Sequence, residues 1–388
     1  MEHRIHLLEE QQAFNQVMQD LSKASWIGFD TEFVGEKTYT PVLCLIQIVS
    51  TTDIYLVDTL RIKDLSLFLN IIEDPEVLKI THAGDNDYRL LNTLYGTIPS
   101  NTFDTQIAAG FVGYNYPAGF GKIVEKELRL TLAKSHTVAN WEARPIDKKA
   151  LNYAIEDVKY LPALHEKLTA KLQRKNRESW SREENRKWEN AAFYEPDPHK
   201  ELLSNDLIHQ LDFNDKIKLM RLINWRREKA IRNNIPKEMA LQIKYVSPIV
   251  RASRDGQNGF KANRILPEGV WRKYIQEWLE LFSQPASKEE TDFIKSLPKP
   301  IPEDPAYEWT MELLYHLVKK QCLDEEISAA LLFPKGDFNR LKSGSADFDE
   351  SLLEGWRSKL MGQTLTDMLR TRRKINVQWT DAGCILNQ

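Results

Sequence analysis

The sequence predicts an α/β domain followed by a region built from helices alone, and three observations carry that expectation. Apolar runs of strand length, WIGF at 26–29, VLCLIQIV at 42–49 and IYLVD at 54–58, fill the first part of the chain. They alternate with segments whose apolar residues recur at three- and four-residue spacing, the mark of helices. Beyond residue 200 the strand-like runs give way to amphipathic helical spacing.

The first strand, Trp-Ile-Gly-Phe, is continuously apolar, as a strand buried on both faces should be. Asp30 ends the run and Glu32 follows two residues on. At period two they share a face, about 7 Å apart along the chain. Such acids repel unless protons, cations or water intervene. Taken alone, Asp-x-Glu is more often a solvated strand end. The runs at 42–49 and 54–58, joined by Ser50-Thr51-Thr52-Asp53, read as a hairpin. VLKITHA at 77–83 reads as a further strand, and Leu90, Leu91 and Leu94 then mark a helix face. Asp87 falls in that helix's first turn, where the helix dipole favours a carboxylate even without a metal. Asp85 competes for the same role, with N-capping as its ordinary explanation. Spacing alone does not choose between them. Residues 149–165 read as one helix, with Leu151, Ala154, Ile155, Val158 and Leu161 as its stripe and Pro162 near its end. Tyr153 and Asp157, at i and i+4, share a face beside that stripe.

Together these segments resemble the DEDD 3′-to-5′ exonucleases, in the subclass whose third motif is Tyr-x-x-x-Asp, and within it the ribonuclease D family. The matching stretches are DTEF at 30–33, HAG followed by Asp87 at 82–87, FDTQIAAGFVGY at 103–114, LAKSHTVANWEARP at 132–145 and YAIEDVKYL at 153–161. A sister subclass carries His five residues before its last Asp; Asn152 stands there, which excludes that form. The resemblance implies a ribonuclease H-like mixed sheet flanked by helices. It puts the second-motif ligand on Asp87 and leaves Asp85 as an extra neighbour.

The resemblance also implies a mechanism. Asp30 would bridge two Mg²⁺ or Mn²⁺ ions about 4 Å apart. Glu32 and Asp157 would complete the ion that activates water, Asp87 would hold the other, and Tyr153 would orient the water. With an ordinary pKa near 10, Tyr153 is a poor base at neutral pH. Hard oxygen ligands suit these ions, and no Cys or His cluster offers a zinc site.

At 388 residues the chain should form two or three domains. Its charged start lacks the apolar core of a signal peptide, and no run approaches membrane-span length. Three scattered cysteines suit a reducing compartment, so a cytoplasmic, membrane-free protein is expected; a monomer is favoured, and the sequence does not give the oligomeric state.

The net charge of −3 hides an asymmetry: residues 206–275 hold 15 Lys or Arg against 7 Asp or Glu. Within it the segment 217–236 sets apolar residues against a basic face, which by itself reads equally as a solvated helix surface. Trp225, Arg226, Ala230 and Pro236 resemble the HRDC helical module that follows the nuclease domain in this family. On that likeness Lys216, Lys218, Arg221, Arg226, Arg227, Lys229 and Arg232 become candidate phosphate contacts, since cationic side chains position nucleic acid at a distance from the cut. Prolines at 194–200 and 296–305 mark breaks, and residues 171–190 read as one charged helix. The expected domains are 1–195 (exonuclease, with the chemistry complete), 206–290 (HRDC) and 300–372 (second HRDC-like). For the last, Leu353-Glu354-Gly355-Trp356-Arg357 resembles the family's ending, with helix packing its ordinary explanation. The tail after Arg370 is basic and otherwise silent.

The expected activity is removal of nucleoside 5′-monophosphates from structured RNA 3′ ends such as tRNA precursors. A DNA exonuclease and a non-catalytic nucleic-acid scaffold are the alternatives. The tandem helical modules and Ala143-Arg144-Pro145 weigh against the first, and the complete acid set against the second.

Overall fold

The structure is a computed structural model that describes residues 3–132, 139–195, 199–203, 208, 210–297, 304–345 and 348–372, and the backbone of 376–380 and 383–387. Part of the LAKSHTVANWEARP stretch (133–138) and of the two proline-bearing breaks (196–198, 298–303) lies outside the described residues.

The nuclease half runs β1 (Arg4–Leu8), α1 (Gln11–Leu21), β2 (Trp26–Val34), β3 (Val42–Val49), β4 (Asp53–Asp58), α2 (Ser66–Glu73), β5 (Leu78–Thr81), α3 (Asp85–Tyr95), β6 (Thr102–Asp104), α4 (Thr105–Gly110), α5 (Phe120–Leu128), α6 (Lys148–Lys159), α7 (Leu161–Arg174) and α8 (Glu178–Asn185). The six strands form one mixed sheet in the order β1-β4-β3-β2-β5-β6. The hairpin β3–β4 and its partner β2 are antiparallel, while β1, β5 and β6 join in parallel. The α/β expectation and the hairpin are borne out. Strand β2 runs through Asp30 and Glu32 instead of ending there. Between Glu32 and Phe33 its register with β3 slips by one residue, a bulge at the strand's functional end.

One face of the sheet packs Phe29, Ile46 and Ile48 against Phe14, Phe68 and Tyr88. The other packs Leu45, Val49 and Leu56 under Ala154, Val158 and Leu161. Gly28 permits this second layer to close: a Cβ there would stand 2.6 Å from a Val49 methyl and 3.2 Å from Leu161 Cδ1.

The single helix expected over 149–165 is two. Pro162 sits in the first turn of α7, where its missing N–H costs nothing, so it opens a helix instead of closing one. The charged helix expected over 171–190 also breaks, at Asn176, whose φ is 55°.

After it come α9 (Lys200–Leu203), α10 (Phe213–Asn233), α11 (Lys237–Ala240), α12 (Val246–Ala252), α13 (Gly256–Ala262), α14 (Glu268–Ser283) and α15 (Lys288–Ser296), then α16 (Pro305–Asp324), α17 (Ala329–Leu332), α18 (Lys335–Ser343), α19 (Gly355–Met361) and α20 (Gln363–Thr371). Helices α10 to α15 wrap a core of their own around Trp225, Phe260, Trp271 and Trp278. Helices α16 to α20 do not; Met311, Leu314, Phe333 and Trp356 share one continuous core with the nuclease layer. The expected bounds 1–195 enclose the sheet and the acids but not the whole of the core they share. The unit next in sequence keeps a separate core, and the distal unit completes the nuclease core.

The Gly355-Trp356-Arg357 phrase makes that contact. The Trp356 ring packs 4.6 Å from Phe111 and 6.1 Å from Trp180, centroid to centroid. Its Nε1–H donates to Glu184 (3.1 Å) and its backbone N–H to Glu183 (2.9 Å), both on α8. Gly355 has φ 56°, and a Cβ would overlap the Glu183 carboxylate, so only glycine fits. The tail is not silent: β7 (Asn376–Thr380) and β8 (Gly383–Asn387) pair as an antiparallel hairpin.

Candidate active site

The sheet's end brings together residues far apart in sequence. One carboxylate oxygen from each of Asp30, Glu32 and Asp157 lies within 4.8 Å of the other two. Strand β2 supplies the first two on one face, and α6, laid across β2, β3 and β4, lowers Asp157 onto them. Asp87 stands just outside this triad on the first turn of α3, buried, and accepts a hydrogen bond from the Thr31 hydroxyl. Thr31 lies between the two acids of β2 and points to the opposite face. The alternation that pairs Asp30 with Glu32 thus also links the strand to Asp87.

Burial is the main cause of the site's electrostatics. It pushes Asp30 well above the carboxylate range, with Asp87, Asp157 and Glu32 adding repulsion. Glu32 rises to about 8 through burial and the charges of Asp157 and Asp87. Asp157 rises to about 7 through burial, with the Tyr153 hydroxyl drawing it part-way back. Asp87 rises to about 6 through burial, opposed by its bond from Thr31. Tyr153 is raised by burial and by the Asp157 and Glu32 carboxylates, so it keeps its proton at neutral pH. Its ring rests 6.3 Å from Trp141.

Asp85 and Asp87 differ in their partners. Gly84, not Asp85, is the N-cap of α3. Asp85 is the first helical residue, half exposed, bound to Arg89 (3.0 Å) and to Trp188 Nε1 (3.2 Å). It serves to hold α3 against the segment after α8. Replacing Asp87 with Ala should therefore reduce turnover at least about 100-fold, whereas Asp85→Ala should cost stability and leave turnover within a few-fold. Comparable losses in steady-state assays of the two variants would show that the second motif is shared.

Two supports escaped sequence reading. Asp104 caps α4 at Gln106 (2.6 Å) and Ile107 (3.3 Å), and also accepts the Gly84 N–H (2.8 Å), holding the turn that delivers Asp87. Arg144 grips Asp58 with two bonds of 2.6 and 2.7 Å and reaches the Cys44 carbonyl at 2.9 Å. It ties the Trp141 loop to the sheet. Within the Ala143-Arg144-Pro145 triplet, Arg144 is spent on this internal clamp.

Two of the seven candidate phosphate contacts are also corrected. Arg221 is buried, with Glu290 (2.7 Å) and the carbonyls of Leu281, Gln284 and Pro285 as partners. Arg226 is buried among Glu201, Glu238 and the Leu241 carbonyl. A helix of 21 residues with a deep apolar stripe turns part of its basic set inward, where guanidinium groups tie neighbouring helices together. Lys218 pairs with Asp215 (3.0 Å) and Lys229 with Glu277 (3.2 Å), each keeping part of its side chain exposed. Lys216 and Arg227 are half-buried, and Arg232 is exposed.

A family profile described as 3′-5′ exonuclease matches residues 5–173. A ribonuclease D of Sphingobium indicum is 30% identical over 95% of this chain and 96% of its own length. The chain belongs to the ribonuclease D family. A second ribonuclease D, from Gluconacetobacter diazotrophicus, is 28% identical over 94% of this chain and 92% of its own. The crystal structure of Escherichia coli RNase D, an exoribonuclease involved in structured RNA processing, matches with a TM-score of 0.82 and 26% identity, over 96% of this chain and 99% of that one. As a member of this family, the chain is a hydrolytic 3′-5′ exoribonuclease, of a superfamily that uses divalent metal ions.

The raised carboxylates predict a pH dependence. Unfolded Asp and Glu titrate near 4. Between about pH 4 and 8 the folded, metal-free site holds more protons than the unfolded chain, so its contribution to stability falls as pH rises through that window. Ionised ligands bind cations better, which works in the opposite direction. The melting-temperature gap between Mn²⁺ and EDTA should therefore widen from about pH 5.5 to 8.5. A constant gap would uncouple these acids from the cation.

Proposed function

We propose that this chain trims the 3′ ends of structured RNA, tRNA precursors among them, releasing nucleoside 5′-monophosphates with the help of two Mg²⁺ or Mn²⁺ ions. Asp30, Glu32 and Asp157 would hold the ions together with Asp87. The observation that carries the reading is the convergence of three carboxylate oxygens within 4.8 Å beside the Tyr153–Asp157 pair. The donor set fits hard divalent cations. So does Asp157 Oδ2, which is buried and has no hydrogen-bond partner. The ions, when bound, supply neutralising charge for the phosphodiester and acidify water.

The chain's own residues do the rest. Tyr153 keeps its proton and shares it with Asp157, so its hydroxyl oxygen can orient water by accepting a hydrogen bond and cannot take the water's proton. Trp141 and the Arg144 clamp hold the ring in place. Tyr153→Phe retains the packing and deletes the hydroxyl, so turnover should fall about 100-fold with KM nearly unchanged. Normal turnover would reduce Tyr153 to scaffolding.

For substrate, Lys216, Lys218, Arg227, Lys229 and Arg232 remain as phosphate contacts on α10, within a helical domain at 206–290. The exonuclease domain would span 1–195, with its core completed by the second HRDC-like domain at 300–372. Buried, free Cys44 and Cys322 suit a reducing cytoplasm. The test is product analysis on a 3′-tailed tRNA, a blunt RNA duplex and single-stranded DNA, each with Mg²⁺, Mn²⁺ or EDTA. Metal-dependent release of nucleoside 5′-monophosphates from the tailed tRNA supports the reading. Equal or faster degradation of DNA would overturn its substrate half, and activity in EDTA its metal half.

A further inference from the structure

Gln47 is a polar residue in an otherwise apolar strand. Leu45 and Val49, its same-face neighbours in β3, are fully buried, as is Leu56, its cross-strand partner in β4. Gln47 is itself fully buried, and neither its Oε1 nor its Nε2 has a hydrogen-bond partner. Two unpaired ends of a carboxamide in such surroundings are costly to keep. On its other side the register places Asp30: residues 30 and 47 are directly paired across antiparallel β2 and β3. Side chains of directly opposed residues lie on one face, close enough to interact. This face is the one that α6 covers, and it carries Asp30 and Glu32. Gly28, next along it, has no side chain to offer.

We infer that Gln47 is a positioning residue of the cation site, its carboxamide N–H donating to the Asp30 carboxylate while that group faces a cation. The inference rests on the reading of the acids as a cation site given above. An ionised carboxylate has about four lone-pair sites, and ligation uses only some of them. A donor on the side away from the cation fixes the carboxylate's rotation, as outer partners do for metal ligands generally. Among the acceptors on this face, Asp58 is held by Arg144, and Asp30 is the one directly opposite Gln47 in the register.

The experiment uses the full chain without RNA. Gln47→Met keeps length and flexibility and removes both polar ends; Gln47→Leu is the second variant. Mn²⁺ binding is titrated calorimetrically, and melting is followed in EDTA. The expected result is a 10- to 100-fold loss of Mn²⁺ affinity with an unchanged or higher melting temperature in EDTA, since the unpaired amide is gone. Mn²⁺ affinity within twofold of wild type in both variants overturns the inference. So does a melting temperature that falls in both along with affinity, which would make Gln47 part of the scaffold. Asp30→Asn titrated in parallel separates the two readings. Unchanged Mn²⁺ binding there removes the cation site itself, whereas loss in Asp30→Asn with none in the Gln47 variants removes only the role given to Gln47.

Discussion

Asp30→Asn should lower hydrolysis by about 10³- to 10⁵-fold, or about 4–7 kcal/mol in the barrier, while leaving the fold and RNA binding in place. Asp30 is disfavoured as an anion in the cation-free site, because it is buried and feels Asp87, Asp157 and Glu32 at once. A site that tolerates such repulsion gains only when cations neutralise it, and an amide cannot supply the charge. The same substitution relieves the repulsion, so the melting temperature in EDTA should hold or rise. Single-turnover rates at saturating enzyme, beside RNA-binding and melting curves, make the check. Activity within tenfold of wild type would take Asp30 out of the mechanism.

Trp356→Ala should destabilise the nuclease half by about 3–5 kcal/mol, although it lies far beyond residue 195. The ring is fully buried against Phe111 and Trp180, and its N–H is the partner of buried Glu184. Removing it leaves a cavity and an acceptor with one donor fewer. Arg357, which pairs with Glu184 at 2.8 Å and lies 4.6 Å over the Trp356 ring, loses its platform. Thermal inactivation of RNA hydrolysis should shift down together with the melting transition. If activity survives to the wild-type temperature while only helical signal melts earlier, residues 1–195 stand alone after all.

The acids of the site were legible because their chemistry leaves a local trace. Asp30 and Glu32 interrupt an apolar strand at period two, and Tyr153 and Asp157 share a helix face at i, i+4; both patterns follow from backbone geometry within a few residues. Hairpin β3–β4 was readable for the same reason, since a polar turn joins two apolar runs. Gln47 left a trace too, as the polar letter inside VLCLIQIV, but its meaning needed the strand register that sets it against Asp30.

What tertiary structure alone decided is which groups have partners. Spacing could not separate Asp85 from Asp87; Trp188 and Arg89 occupy the first and Thr31 reaches the second. Nor could charge counting separate Arg221 and Arg226, turned inward onto Glu290, Glu201 and Glu238, from Arg232 on the surface. Composition fixes how many charges a helix carries, and neighbours a dozen or more residues away fix which of them meet water. The same holds for the domains. Prolines mark where the chain can bend, but only packing shows that the distal helices fill the nuclease core while the nearer ones wrap their own. Which charged groups are buried is set by contacts across the whole chain, and no local stretch of sequence encodes it.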